Sequence, residues 1–144
     1  MPDARPDAPP AASGLVHRAL AHDSAVGHVT GAARYVDDLP VPRGTLHACV
    51  GGSPVAHGRI RLLDLEPVRS APGVVAVLTA ADIPGENNVG PVIHDEPVFA
   101  EREVAFHGQP LFLAVARTRE QARAAVRCAH VEVDPLPAIL TVEQ

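Results

Sequence analysis

Lysine is absent from the 144 residues, and all 12 basic side chains are arginine. That excludes a Walker-type phosphate lysine, a lysine Schiff base and a Ser–Lys dyad. Aromatic residues make up only 3% (Tyr35, Phe99, Phe106 and Phe112), with no tryptophan. The 47% of hydrophobic residues must therefore build a core from Val, Leu, Ile and Ala. The net charge is -5, and no basic stripe interleaves with aromatic rings. Nucleic-acid binding is excluded on that basis, because it needs clustered positive charge and stacking platforms. The two cysteines, Cys49 and Cys128, form neither a CxxC pair nor a zinc knuckle and read as free thiols. No apolar run approaches the ~20 residues that span a membrane. The N-terminus shows neither a basic start nor an apolar signal core, so the sequence reads as a soluble cytoplasmic chain of one domain.

What is present reads as alternating strands and helices. Residues 1–21 open on MPDARPDAPPAASG, with four prolines in the first ten positions and no periodicity; they read as a disordered tail, with order beginning near His22. Strands are expected at Gly31–Val36, Thr45–Val50, His57–Leu65 with Ile60 and Leu62 on one face, Val104–Phe106 and Val131–Val133. The uninterrupted apolar runs Val74–Leu78 and Leu111–Ala116 read as buried strands. Asp64 is expected to cap a short helix holding Leu65, Glu66 and Pro67. Thr79–Asp82 gives one helical turn, and a long loop runs from Glu86 to Pro97. The best helix opens at Thr118, where Thr118-Arg119-Glu120-Gln121 has the form of a capping box and Ala122, Ala125, Val126 and Ala129 share one face. The expected fold class is α/β (α+β): a compact domain over residues 22–144, with a mixed sheet and two or three helices.

Each candidate site has a plainer explanation. Histidines stand at 17, 22, 28, 47, 57, 94, 107 and 130, without HExxH spacing or a neighbouring cysteine cluster, and His22 and His28 are expected in a loop. Asp37-Asp38 and Asp95-Glu96 are sequence neighbours, which in turns point apart rather than at one substrate. Ser53 and His57 suggest a nucleophile and its base, but Val55 stands where a GxSxG elbow needs its last glycine. No GxGxxG is spelled. Arg119, Arg123 and Arg127 recur at intervals of four, which marks a solvated helix face or a dock for an acidic partner. No residue is assigned as catalytic, cofactor-binding or metal-ligating.

Several segments carry a resemblance to a known family: GHVTGAARYVDDLP (27–40), SPVAHGRIRLLDL (53–65), APGVVAVLTAADIPGENNVGP (71–91), HDEPVFA (94–100) and GQPLFLAVA (108–116). From about His22 to its end, the chain resembles the N-terminal α/β-hammerhead domain of the molybdenum-binding subunit of xanthine dehydrogenases and aldehyde oxidases. The stretch IPGENNVGPVIHDEP resembles bacterial xanthine dehydrogenases more than aldehyde oxidases. His107 departs from the pattern, since an apolar residue commonly precedes Gly-Gln-Pro; the departure is expected to touch strand packing only.

The resemblance implies a far longer oxidoreductase that oxidises hypoxanthine and xanthine to urate in purine catabolism. It places the molybdopterin-binding domains, with the pterin ligands and the glutamate base, after this domain. It also implies 2Fe-2S and FAD on partner domains or on a small subunit. The chain stops at Gln144, about where the family domain ends, so a truncated or separately encoded scaffold domain, inactive alone, is expected. The alternative is a free-standing interaction module on the same fold. For the scaffold, the loop around Asn87–Glu96 and the turn Asp37–Pro40 are the expected contact features; for the module, the stripe Arg119, Arg123 and Arg127 or the long loop 86–97 is expected to bind a partner.

Overall fold

The structure, a computed structural model, describes residues 21–144, and the expected N-terminal tail lies almost wholly outside those residues. The chain divides into two units, one ending at Val41 and one beginning at Pro42.

In the described part of the first unit, helix α1 covers Ala25–Thr30 and ends on Gly31, whose φ of 73° is the left-handed cap that glycine adopts without strain. A 3-10 turn follows at Val36–Asp38. The expected strand at Gly31–Val36 does not form. The Ala33 N–H bonds back to the Gly27 carbonyl at 2.9 Å, and the Asp38 carboxylate accepts the Tyr35 N–H at 3.0 Å. These local bonds fold the segment onto itself, and among the described residues no strand pairs with it. His28 is accordingly helical rather than in a loop.

The second unit holds the strands β1 (His47–Gly52), β2 (Gly58–Asp64), β3 (Val74–Leu78), β4 (Glu103–Val104), β5 (Pro110–Ala116) and β6 (His130–Pro135). Helix α2 (Glu66–Arg69) joins β2 to β3, and α3 (Arg119–Val126) joins β5 to β6. A 3-10 turn at Ala80–Asp82 sits where one helical turn is expected. The strands form two three-stranded sheets, in the orders β1-β5-β3 and β4-β2-β6, and every described pairing is antiparallel. The α/β class with three α-helices stands, its strands shared between two sheets.

The core explains the elements. Phe112, Leu111, Val68 and Val104 are fully buried, joined by Leu65, Val77, Ala114 and Ala125. β5 lies in the middle of its sheet with Leu111, Phe112, Ala114 and Ala116 all buried, as its apolar run predicts. β3 differs. Only Val77 is buried, while Val75 and Leu78 are 50% and 37% exposed, because β3 is an edge strand with one face uncovered. In β2 the register shifts between Ile60 and Leu62. A bulge of this kind moves later side chains to the opposite face, so Leu63, not Leu62, joins Ile60 against the core, and Leu62 is exposed.

Three smaller differences have local causes. Leu65 is the buried residue before α2 rather than part of it, and the Asp64 carboxylate accepts the Glu66 N–H at 3.0 Å. In α3 the Thr118 hydroxyl accepts the Gln121 N–H at 3.2 Å, but the Gln121 side chain does not return the bond; its Oε1 is buried without a partner, against Gly73. β4 stops at Val104, so His107 occupies an exposed turn and not a strand.

Candidate functional site

Ser53 and His57 flank the turn between β1 and β2, yet they are not a catalytic pair. Ser53 is buried; its hydroxyl donates to the Val55 carbonyl at 2.8 Å and accepts the Val55 N–H at 3.2 Å, so both of its hydrogen-bonding roles close a local turn. His57 is committed elsewhere. Its Nδ1 lies 2.6 Å from the Pro137 carbonyl and its Nε2 3.1 Å from Glu103 Oε1. The Pro137 carbonyl, then the Glu103 carboxylate, raise its pKa above the ordinary histidine value, since both accept from the protonated ring. The Leu136 N–H also bonds to the His57 carbonyl at 2.9 Å, so this one residue fastens the segment after β6 to the start of β2.

The turn around Ser53 holds a polar residue that sequence reasoning missed. Gln109 is 4% exposed, and its Oε1 accepts the Ala105 N–H at 2.7 Å. Its backbone carbonyl accepts the Ser53 N–H at 2.9 Å, while the Gly108 N–H donates to the Ser53 carbonyl at 2.9 Å. The β1–β2 and β4–β5 turns are thereby tied by paired backbone bonds beside a buried amide whose oxygen is satisfied. The only sequence signal was the GQP triplet, which says nothing about burial.

Asn87 was missed for the same reason. Its side chain donates to the Phe99 carbonyl at 2.8 Å and to Glu101 at 3.0 Å, and it accepts the Phe99 N–H at 3.0 Å. The long loop is pinned at its base by this one amide and crossed by a Val89 N–H to Glu96 carbonyl bond of 2.8 Å. Beyond it, Val92 and Ile93 are 86% and 68% exposed, and Asp95 and Glu96 are exposed beside them.

The remaining candidates do not converge. Asp38 is occupied by the Tyr35 N–H, and Asp37 is exposed. His22 and His28 stack edge-on with centroids 5.6 Å apart, and His28 Nδ1 lies 3.1 Å from the Tyr35 hydroxyl. Among the described residues no three His, Cys, Asp or Glu side chains cluster as metal ligands. Arg119, Arg123 and Arg127 are exposed and make no ion pair among the described residues. Carboxyls in turns and strands are held below their ordinary values by neighbours: Asp82 by the N–H and hydroxyl of Thr79, Glu132 by His130 and Arg61.

Several open grooves remain, three of which adjoin the groups described above. The largest, about 580 Å³, has Leu65, Ala100 and Leu111 on its floor and Asp64, Glu66 and Glu101 on its rim. Arg69 also lines it, and its guanidinium donates to the Val77 carbonyl at 3.3 Å. A second, about 380 Å³, lies between Phe106 and the segment Pro137–Leu140, with His57 at its base. A third, about 500 Å³, opens under the long loop among Glu86, Asp95, Glu101, Arg102 and Glu103. Among the described residues no helix is long and apolar enough to cross a membrane.

Comparison with known proteins finds a match over residues 30–137 to the family model described as "Aldehyde oxidase and xanthine dehydrogenase, a/b hammerhead domain". The chain is 45% identical over 129 residues to a xanthine dehydrogenase of Oryza sativa, covering 90% of this chain and 9% of that protein. It is 44% identical over 124 residues to a xanthine dehydrogenase of Dictyostelium discoideum, covering 86% of this chain and 9% of that one. Among solved structures, a reconstituted CO dehydrogenase from Oligotropha carboxidovorans superposes with a TM-score of 0.73 at 31% identity, covering 85% of this chain and 15% of that one. The chain thus spans about a tenth of the length of the curated relatives it matches.

Proposed function

From the premise that this chain belongs to the aldehyde oxidase and xanthine dehydrogenase family, as its hammerhead domain, we propose that it is a non-catalytic scaffold for a molybdenum hydroxylase of the xanthine dehydrogenase kind. The observation that carries this reading is the pairing of that match with side chains whose chemistry is already spent inside the fold. Ser53, His57, Asn87 and Gln109, the polar groups best placed by the turns, all satisfy backbone or carboxylate partners of the domain itself.

The family implies a molybdopterin, and the described residues do not fit one. A phosphate-bearing pterin calls for cationic side chains or converging N–H groups. The 580 Å³ groove instead sets the carboxylates of Asp64, Glu66 and Glu101 against the single guanidinium of Arg69, which already donates to the Val77 carbonyl, and the third offers four carboxylates against one arginine. We therefore place the molybdenum cofactor, the 2Fe-2S centres and the FAD on the rest of the enzyme or its partner subunit, and assign this chain no site residue. Oxidation of hypoxanthine and xanthine to urate, and a cytoplasmic location, belong to the same reading. The exposed Val92–Ile93 tip, with Asp95 and Glu96, is one surface that such a scaffold would present to its neighbours.

The test mixes this chain with the Oryza sativa xanthine dehydrogenase polypeptide from which the matched segment has been deleted. Co-elution on size exclusion is expected, with no urate formed from xanthine by this chain alone. Urate from the chain alone, or a stable monodisperse chain that never co-elutes, overturns the reading and leaves the independent module.

A further inference from the structure

The β1-β5-β3 sheet buries one face and leaves the other open. The buried face carries Gly51, Phe112, Ala114, Ala116 and Val77, against which α3 sets Ala122 and Ala125. By strand alternation the opposite face carries the residues between them. The pairings place Val50 beside Leu113 and Leu113 beside Leu78; in the next row Ala48 adjoins Val115 and Val115 adjoins Ala76. All six are apolar, and none is buried. Val50 is 49% exposed and Leu78 37%, and the patch runs out at Leu46, 44% exposed. A sheet face that looks onto water normally alternates to polar residues; this one does not.

Its size selects its occupant. Three strands at ~4.8 Å spacing and two same-face positions ~6.8 Å apart on each give a patch of roughly 200 Å². A stable pair of identical chains needs about 800 Å² from each partner, four times this area. One helix, ~10 Å across, matches a patch ~14 Å wide. No charged residue stands in either row, so the occupant's docking side is uncharged as well.

We propose that this outer face, centred on Val50, Leu78 and Leu113, receives a single apolar helix of the molybdenum-hydroxylase polypeptide that the chain serves. The inference rests on the scaffold reading above and names one of the contacts that reading requires.

The experiment uses the full chain and the segment-deleted Oryza sativa polypeptide as probe, comparing the unaltered chain with Val50→Glu/Leu78→Glu and with Arg119→Glu/Arg123→Glu. Because Val50 and Leu78 are already partly solvated in the free chain, the first double variant should keep a thermal midpoint within a few degrees of the unaltered one. It should nonetheless weaken the complex by roughly tenfold or more, while the arginine variant binds as the unaltered chain does. Equal binding by all three proteins overturns the assignment of this face and leaves the scaffold reading standing. Failure of the unaltered chain to bind removes both. Self-association of the unaltered chain that Val50→Glu/Leu78→Glu abolishes makes a second copy the occupant, and also overturns the proposal.

Discussion

Gly51 shows why single positions in this chain are restricted. The Phe112 ring lies directly over it from the neighbouring strand, so a methyl group at Gly51 would overlap the ring atoms. Phe112 is 1% exposed and belongs to the packed core, so shifting its ring disturbs the neighbours it packs against. Gly51→Ala should therefore destabilise the chain by about 1–3 kcal/mol, the usual cost of overpacking a core, read as a shift in the denaturation midpoint; an unchanged midpoint refutes the contact. His57 gives a residue-scale pH dependence. Its folded pKa lies above its unfolded value, because the Pro137 carbonyl and the Glu103 carboxylate accept from the charged ring. Its contribution is then fully present below the unfolded value of about 6.5 and is lost as pH rises through the folded pKa. Arg59, 3.9 Å from Glu103, and His107, on the wall of the same groove, are the other charged or titratable groups nearby. Amide exchange at Leu136, whose N–H donates to the His57 carbonyl, should accelerate across that window beyond its intrinsic pH dependence, and His57→Phe should abolish the excess.

At the scale of elements, two strands that look alike in sequence differ in position. Val74–Leu78 and Leu111–Ala116 are both unbroken apolar runs, but β5 is paired on both edges and β3 on one. Amides of β5 should thus be the slowest to exchange, with the outer positions of β3 exchanging roughly tenfold faster or more, since sheet edges open at lower free energy. Equal protection in the isolated chain would mean that something covers the outer face of β3. The bulge in β2 acts at the same scale: one extra residue moves Leu62 into solvent and brings Leu63 inward, where it packs with Ile60 against the core. Helix α3 is short, at eight residues, and depends on the Thr118 cap and on burial of Ala122 and Ala125 more than on its own length.

For the whole molecule, the division of labour follows from where polar chemistry is spent. A hydroxylase that carries a bulky cofactor must hold reacting groups to tight tolerance. The buried Ser53 hydroxyl bonds to Val55 and the buried Gln109 Oε1 accepts the Ala105 N–H, so these two groups serve the fold, which accords with the scaffold role proposed above. Association with the remaining polypeptide would stabilise the folded chain by mass action, so the co-elution experiment should also raise this chain's melting temperature as partner is added. Interdomain surfaces of this class bury about 600–1,500 Å². The outer sheet face supplies only part of that, and the exposed Val92–Ile93 loop tip is a second apolar surface that an interface could use.

Much of this was legible in the chain itself. Composition excludes the lysine chemistries, the apolar runs mark β3 and β5, Thr118 marks the start of α3, and the quoted motifs by themselves point to the hammerhead family. Those features are local, or spelled out in order along the chain. What the tertiary structure decided depends on partners distant in sequence. Strand order made β3 an edge, although its composition matches that of the central β5. Local bonds from the Ala33 N–H to the Gly27 carbonyl and from the Tyr35 N–H to Asp38 folded Gly31–Val36 back on itself, and among the described residues no strand pairs with it. The 46-residue separation between His57 and Glu103, and the 80 residues between His57 and Pro137, hid a clamp that no spacing rule detects. The outer apolar face arose likewise from three segments, each with its own alternation, and became one surface only when the register aligned Val50, Leu113 and Leu78.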